Sequence, residues 1–555
     1  MKLKLVFVFF LLAQICFGQN LFTKAISKIA KGVGKSANIE TTSNLAEVIP
    51  TVSIGSNLHS DKLGTISQTF FNGWVTGGDM CFVMFTGKDA PGFRKLDGSV
   101  MINGVPAEFV TAGMYNVITP TSQAPRKFEV TTASGKSNFT ITPYSGSFKI
   151  KSINGVSDKI SLDLTKDVEI ELEGAQFPDN ALLKVSIAIN QLSIKSIYDV
   201  VYLRASGSKI KVPAAAFRNI NIIPGGNALY NYKKSYLAVS YETLENATDV
   251  SGVFPTIQYT RSYSDGKFVN ITTEPLLNLG LVVKGTEKDM DYQFYKPNAF
   301  LSRPFDQIKK VGLLSFSIRG TTYRQSVESS TSSSTLVTGD VATTTTTTKT
   351  TVTTLEFPQQ PNEVWDKFLE QMYPEFTGVI ESEFNANALT PEATTNTPSY
   401  SATTSFAKDD VNTKVEFARS FRKTKVLSAF MPMSEGFGVN GINNRVMNEA
   451  GADALLTMTL DLQISEGEDG KILMTPKLAF EIVGKQNGLV SNTKYVKGNI
   501  QSSAGVPFKK DITPTQLENI IRKSDLLVIF RKALQEIKAQ EKSNGDYELI
   551  WSLQK

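Results

Sequence analysis

The chain has 555 residues, 41% hydrophobic and 20% charged, with a net charge of +5 at neutral pH. That length exceeds a single hydrophobic core, so roughly three to four domains are expected. The small positive charge is spread among acids and leaves no nucleic-acid footprint, and a single histidine puts a two-histidine metal site out of reach.

Lys2 and Lys4 open the chain, residues 5–15 are apolar except Gln14, and Cys16-Phe17-Gly18 ends on a small residue. This order predicts a secretory signal peptide over 1–18, too short to anchor in a bilayer. Two other readings are a buried first helix and a lipoprotein with Cys16 modified. The second is disfavoured by Ile15, where a small residue is needed. After cleavage only Cys81 remains, so no intrachain disulfide forms, which suits a bacterial envelope. Cys81 lies in the apolar run Met80-Cys81-Phe82-Val83-Met84-Phe85 and reads as a buried small hydrophobe.

Residues 19–44 form a basic amphipathic segment. Leu21, Phe22, Ala25, Ile26, Ile29, Ala30 and Val33 recur at helical spacing, and Lys24, Lys28, Lys31 and Lys35 take the other face. Such a helix suits peripheral contact with an anionic membrane over 20–37; a spacer or a docked helix fits equally.

From about 45 to 285 the period becomes two, as in Val168-Glu169-Ile170-Glu171-Leu172 and Leu237-Ala238-Val239-Ser240-Tyr241. Turn signals punctuate it at Asp97-Gly98, Asn103-Gly104, Ser134-Gly135, Asn154-Gly155 and Asp265-Gly266. Short alternating strands at this spacing predict sandwiches, because each strand buries one face against a second sheet. A boundary near Pro143 gives two immunoglobulin-like β-sandwich domains, 45–143 and 144–285. The pattern lacks a Cys…Trp…Cys signature. Tyr230, Tyr232, Tyr236 and Tyr241, around Lys233-Lys234, are candidates for a recognition surface, against a reading as ordinary cross-strand tyrosines.

Residues 286–555 read as an α/β domain with a Ser/Thr-rich insert at 325–357. The insert holds almost no large apolar side chain, so a disordered segment is the favoured expectation; a solvated hairpin arm turning at Gly339-Asp340 is the other. Neither flank alternates as a lipid-facing strand must. A strand at 311–316 precedes the insert, and a long helix over about 362–389 follows, with Pro374 as the site of a kink. Then come a strand at 425–430, a short helix near 443–450, a strand opening at Gly451-Ala452-Asp453, and a hairpin about Glu468-Asp469-Gly470. Thr513-Pro514 opens a final helix.

Three features of this region have a familiar order: Lys309-Lys310 before Val311-Gly312-Leu313-Leu314-Ser315-Phe316, a long following helix, and Gly451-Ala452-Asp453 opening a strand. In these, residues 300–555 resemble the envelope α/β module of the curli-secretion pore subunit, TolB amino-terminal domains and lipoprotein activators of cell-wall synthases. The chain lacks that group's lipidated cysteine and adds the Ser/Thr insert. The resemblance implies binding, assembly or secretion rather than catalysis.

The residues themselves offer little chemistry. His59 sits in polar Asn57-Leu58-His59-Ser60-Asp61 and reads as an exposed loop histidine. Paired carboxylates for glycoside hydrolysis would come from Glu171, Glu173, Asp291 or Asp461, which read instead as outward acids on strands. The glycine run at 435–441 precedes a helix but lacks a P-loop's lysine. The acids of 466–470 lack calcium-loop spacing. The expected protein is therefore a non-enzymatic, exported envelope protein that needs no cofactor or metal. It would bind an envelope protein or glycan, with homo-oligomers possible, in the periplasm, on the outer membrane or outside the cell. The alternatives are an oligomeric part of a secretion or surface-assembly machine and an extracellular glycoside hydrolase.

Overall fold

The structure is a computed structural model. It describes residues 39–554 except 60–75, 89–92, 112, 176, 179–180, 192–193, 206, 219, 221–229, 277–279, 324–327, 339–340, 352–356, 404, 406–412, 430–440, 468–469, 487–491 and 510. The chain is mostly β-sheet, 52% strand and 23% helix, arranged in several sheets with a few helices.

The period-two pattern gives strands that bury one face. Val168–Glu173 buries Val168, Ile170 and Leu172 and turns its glutamates outward. Asn103-Gly104 and Asn154-Gly155 both adopt positive φ at the two central residues, the conformation that lets a two-residue turn follow strand twist. Asp265-Gly266 does not turn. It lies inside the 16-residue strand Gln258–Thr273, where a Cβ on residue 266 would sit 2.6 Å from the Tyr236 ring. The glycine makes room for a ring, and Asp265 accepts a hydrogen bond from the Ile150 amide at 2.7 Å.

Two apolar cores fill the region 45–285. In the first, Val52, Ile54, Cys81, Val83 and Phe85 meet Val100, Phe128, Val130 and Phe139 of a five-stranded sheet. In the second, Leu183, Val185, Ile187, Leu237 and Val239 meet Ile150, Ile153, Val168, Ile170 and Ile210 of a three-stranded sheet.

The boundary expected at Pro143 divides neither the cores nor the sheets: Phe254, Ile257 and Tyr259 belong to the first core. One sheet runs through both, in the order Ile194–Arg204, Leu182–Gln191, Tyr230–Asn246, Gln258–Thr273, Val48–His59, Thr76–Gly87, Met114–Pro120, Glu108–Thr111. The joint is parallel, with Tyr259–Tyr263 beside Val52–Ser56. Strand Thr248–Gly252 also crosses back to pair with Gly135–Ile141. Gln258–Thr273 serves both cores, with Tyr259 in the first and Val269 and Ile271 in the second, which period alone does not reveal.

The C-terminal region is built on a second large sheet. Its order is Leu281–Glu287, Met290–Lys296, Asn492–Ser502, Ile472–Gln486, Ala454–Glu466, Lys310–Tyr323, Asn387–Ala388. Helices Asn362–Phe384, Pro514–Ile521 and Lys523–Asn544 bury Trp365, Phe368, Phe376, Leu517, Phe530 and Leu534 in one core with Leu456, Met458 and Phe480 of the sheet. Helix Ile442–Ala450 packs Val446 and Met447 in a separate cluster with Leu314 and Leu455.

Several boundaries differ from expectation. The long helix stops at Phe384, because Asn385 turns left-handed with φ 50°. The final helix breaks at Arg522, φ 53°, into Pro514–Ile521 and Lys523–Asn544. The strand expected at 425–430 is replaced by an isolated bridge at Leu427, and the strand of that region is Thr413–Ser420, paired with Lys310–Tyr323. Within the insert, Glu328–Thr338 and Val341–Thr351 pair antiparallel, so the disordered reading gives way to the hairpin arm. Threonine's β-branched side chain favours an extended backbone even where there is no core to enter.

The last helix, Asp546–Gln554, returns to the second core. Tyr547 and Ile550 are buried there, the Tyr547 hydroxyl donates to the Pro297 carbonyl at 2.6 Å, and Asp546 pairs with Arg218 at 3.3 Å. Tyr547→Ala should therefore lower the stability measured by urea denaturation by roughly 3–5 kcal/mol, the usual cost of emptying a buried aromatic site. A loss below about 1 kcal/mol would show that the helix is not anchored there.

Candidate functional site

The four tyrosines are scattered by their own strand. Tyr236 is buried with its ring edge-on to Phe268, centroids 5.5 Å apart. Tyr241, five positions on, points to the opposite face and packs edge-on against Tyr144 at 4.9 Å in the second core, where burial pushes its phenol up. Tyr232 is half-buried against that same core, and its hydroxyl donates to Glu274 at 2.8 Å. A register shift opposite Ala188 and Asn190 breaks the parity between Tyr232 and Tyr236. Tyr230 is placed by its backbone alone. Tyr232, Tyr236 and Tyr241 therefore do not share one face, as the recognition-surface reading requires. Lys24, Lys28, Lys31 and Lys35 lie outside the described residues, as does most of the 435–441 glycine run.

The expected carboxylates are equally dispersed. Glu171 accepts from Lys151 at 2.8 Å and from Ser152, and these bonds hold its carboxyl below the usual range. Glu173 is exposed, and Asp291 is an exposed acid bonded to Thr286. Asp461 departs from the outward expectation: it is buried, 3.1 Å from Arg319 and 2.7 Å from the Thr321 hydroxyl. His59 ends the strand Val48–His59 and pairs with Thr76, so its backbone is not in a loop. Cys81 is fully buried, and burial pushes its thiol up to about 12.

Sequence reasoning missed a set of buried ion pairs. Asp79 and Arg126 meet at 2.9 Å and Arg319 and Asp461 at 3.1 Å, while Lys184 is held by Glu242 and Asp199. Lys296 is fully enclosed. Its ammonium lies 2.8 Å from Glu541, donates to Ser302, Arg303 and Tyr495 oxygens, and sits 3.8 Å from the Phe305 ring centre and 4.9 Å from that of Tyr547. Burial pulls Lys296 down to about 8 against the opposing pull of Glu541, and pushes Glu541 up. These groups are walled in by packing. They hold elements together and give no reacting group an open approach.

The resemblance motifs meet in space. Asp453 takes the Lys310 amide at 3.0 Å on its carboxylate and returns its own amide to the Lys310 carbonyl at 2.9 Å. This clamps the starts of the parallel neighbours Lys310–Tyr323 and Ala454–Glu466. The two strands of the hairpin arm pair with each other and with no other strand among the described residues. No protein-family model matches the chain, and no curated protein or solved structure is significantly similar to it.

Two outcomes follow from these burials. Lys296→Met should cost about 3–5 kcal/mol in chemical denaturation, because Glu541 is left buried without its countercharge, whereas Lys296→Met with Glu541→Leu should recover most of that loss. A double variant no better than the single would show that the pair is not coupled. Cys81 should resist iodoacetamide at pH 8 in the folded chain and react in urea, since the thiolate is the nucleophile; peptide mapping reads both.

Proposed function

We propose that the chain is a non-enzymatic protein exported to a bacterial envelope, where it binds or assembles with a partner through immunoglobulin-like β-sandwich modules and an α/β partner domain. The arm of Glu328–Thr338 and Val341–Thr351 carries this reading. Each of its strands is eleven residues, so the arm extends roughly 37 Å at about 3.4 Å per residue. A strand with one unpaired edge presents a row of backbone N–H and C=O groups to an added strand. The arm's serine and threonine content supplies hydroxyls and few apolar groups, which suits pairing in water.

The order of elements in the α/β region supports the same reading. Lys309-Lys310 and Gly451-Ala452-Asp453, the short motifs shared with the curli-secretion, TolB and synthase-activator group, are joined through Asp453. Export rests on the charged start and apolar run of residues 1–18. An oligomeric secretion or surface-assembly component is the second reading, since open strand edges also join copies.

Replacing 328–351 by a short Gly-Ser linker tests the arm, with crosslinking in intact cells and gel filtration as readouts. The arm-less chain should fold, keep its circular-dichroism melt within a few degrees, and lose the adducts that the full chain forms. A full chain eluting as a large ring would select the second reading. Unchanged adducts without the arm would remove both.

A further inference from the structure

Three neighbouring strands bring three ionisable groups together away from water. Lys184 stands on Leu182–Gln191, Asp199 on Ile194–Arg204 and Glu242 on Tyr230–Asn246. The Lys184 ammonium lies 2.7 Å from Glu242 and 3.9 Å from Asp199, with the three side chains only 4%, 5% and 6% exposed in that order. Tyr202 is buried beside them, and its hydroxyl, Asp199 Oδ2 and Glu242 Oε2 have no hydrogen-bond partner. Among the described residues these four are the titratable groups of the cluster: Lys184 and Glu242 from the two inner strands, Asp199 and Tyr202 from the outer one.

The charge count decides the state. Fully ionised, the cluster sets one ammonium against two carboxylates and carries a net charge of −1. An uncompensated buried charge is among the most costly features a fold can hold. Two carboxylates about one ammonium therefore relieve the excess when one of them is neutral. Burial pushes Asp199 and Glu242 up, and although burial works against the charge on Lys184, the two carboxylates outweigh it.

We propose that Asp199 and Glu242 hold one proton in common at neutral pH, and that its loss in alkaline solution loosens the outer strand Ile194–Arg204. The sign follows from proton counting. The folded chain keeps a proton that the unfolded chain releases near pH 4, so this contribution to stability is full below that value. It declines as pH rises until the shared proton leaves. The outer strand also carries Tyr202, stacked on Phe300 at 6.0 Å, and it packs against the last helix Asp546–Gln554. Its loosening would weaken the hold of the C-terminal region on the second core.

The full chain tests this by infrared spectroscopy and amide hydrogen exchange. At pH 7 the folded protein should show the C=O band of a protonated carboxylic acid, part of which disappears in Glu242→Gln or Asp199→Asn. Glu541, also pushed up, contributes separately, so the variant difference is the decisive readout. Exchange over 194–204 should accelerate with pH beyond the intrinsic rate, and the same variant should remove that excess. Should one amide substitution prevent folding, the other and the wild-type spectrum still decide. A missing band, or a band unchanged in both variants, overturns the proposal. So does strand exchange that follows sodium concentration instead of pH, because the balancing charge would then be a metal cation.

Discussion

The enclosure of Lys296 is the interaction on which the rest of the architecture turns. Its ammonium touches the turn at Ser302 and Arg303, the strand at Tyr495, the helix at Glu541 and the ring of Tyr547 in the last helix. Glu541 answers by accepting the Phe305 amide at 2.9 Å, so the carboxylate fixes the path of the turn as well as the charge. Elements of two cores meet here. Tyr547 belongs to the second, whereas Met290–Lys296 and the helix Lys523–Asn544 build the third. A buried ion pair contributes little net stability compared with a well-packed apolar pair, but it tolerates few alternative arrangements. Its role at this junction is to specify how the C-terminal region is seated.

The same economy recurs across the large sheets. Asp79–Arg126, Arg319–Asp461 and Lys184–Glu242 each join segments distant in sequence, and each is almost wholly enclosed. In the C-terminal sheet, Asp453 does comparable work with backbone partners, taking the amides of Lys309 and Lys310 where two parallel strands begin. The molecule thus uses its buried charged groups for alignment, while the two strands of the Ser/Thr arm pair only with each other among the described residues.

Much of the fold was legible because side-chain period reports burial directly. The alternation of Val168–Glu173, the Asn-Gly turns and the helix start at Thr513-Pro514 all stand where the residues place them. The errors have equally local causes. Asp265-Gly266 has the composition of a turn, yet that glycine serves a neighbouring ring. Asp461 reads as an outward acid on a strand; it is buried beside Arg319 and Thr321, which no local pattern records. Parity divides the tyrosine group, since an interval of five on a strand reverses the face, and leaves the cross-strand reading of Tyr236 beside Phe268. The arm was misjudged because a composition unable to build a core is still compatible with paired backbone.

The parallel joint between Val48–His59 and Gln258–Thr273 has a consequence for how the chain acquires its shape. Asn57 bonds the Ser264 carbonyl at 2.8 Å across 207 residues of sequence, and Tyr259 is part of the first core. Closing so long a loop precedes any reward from the contacts it makes, and topologies of this kind form slowly. The leading segment therefore waits, with Val52, Phe85 and their neighbours incompletely covered, until the second half of the β-region has been made. During synthesis that interval is the period of greatest exposure to aggregation.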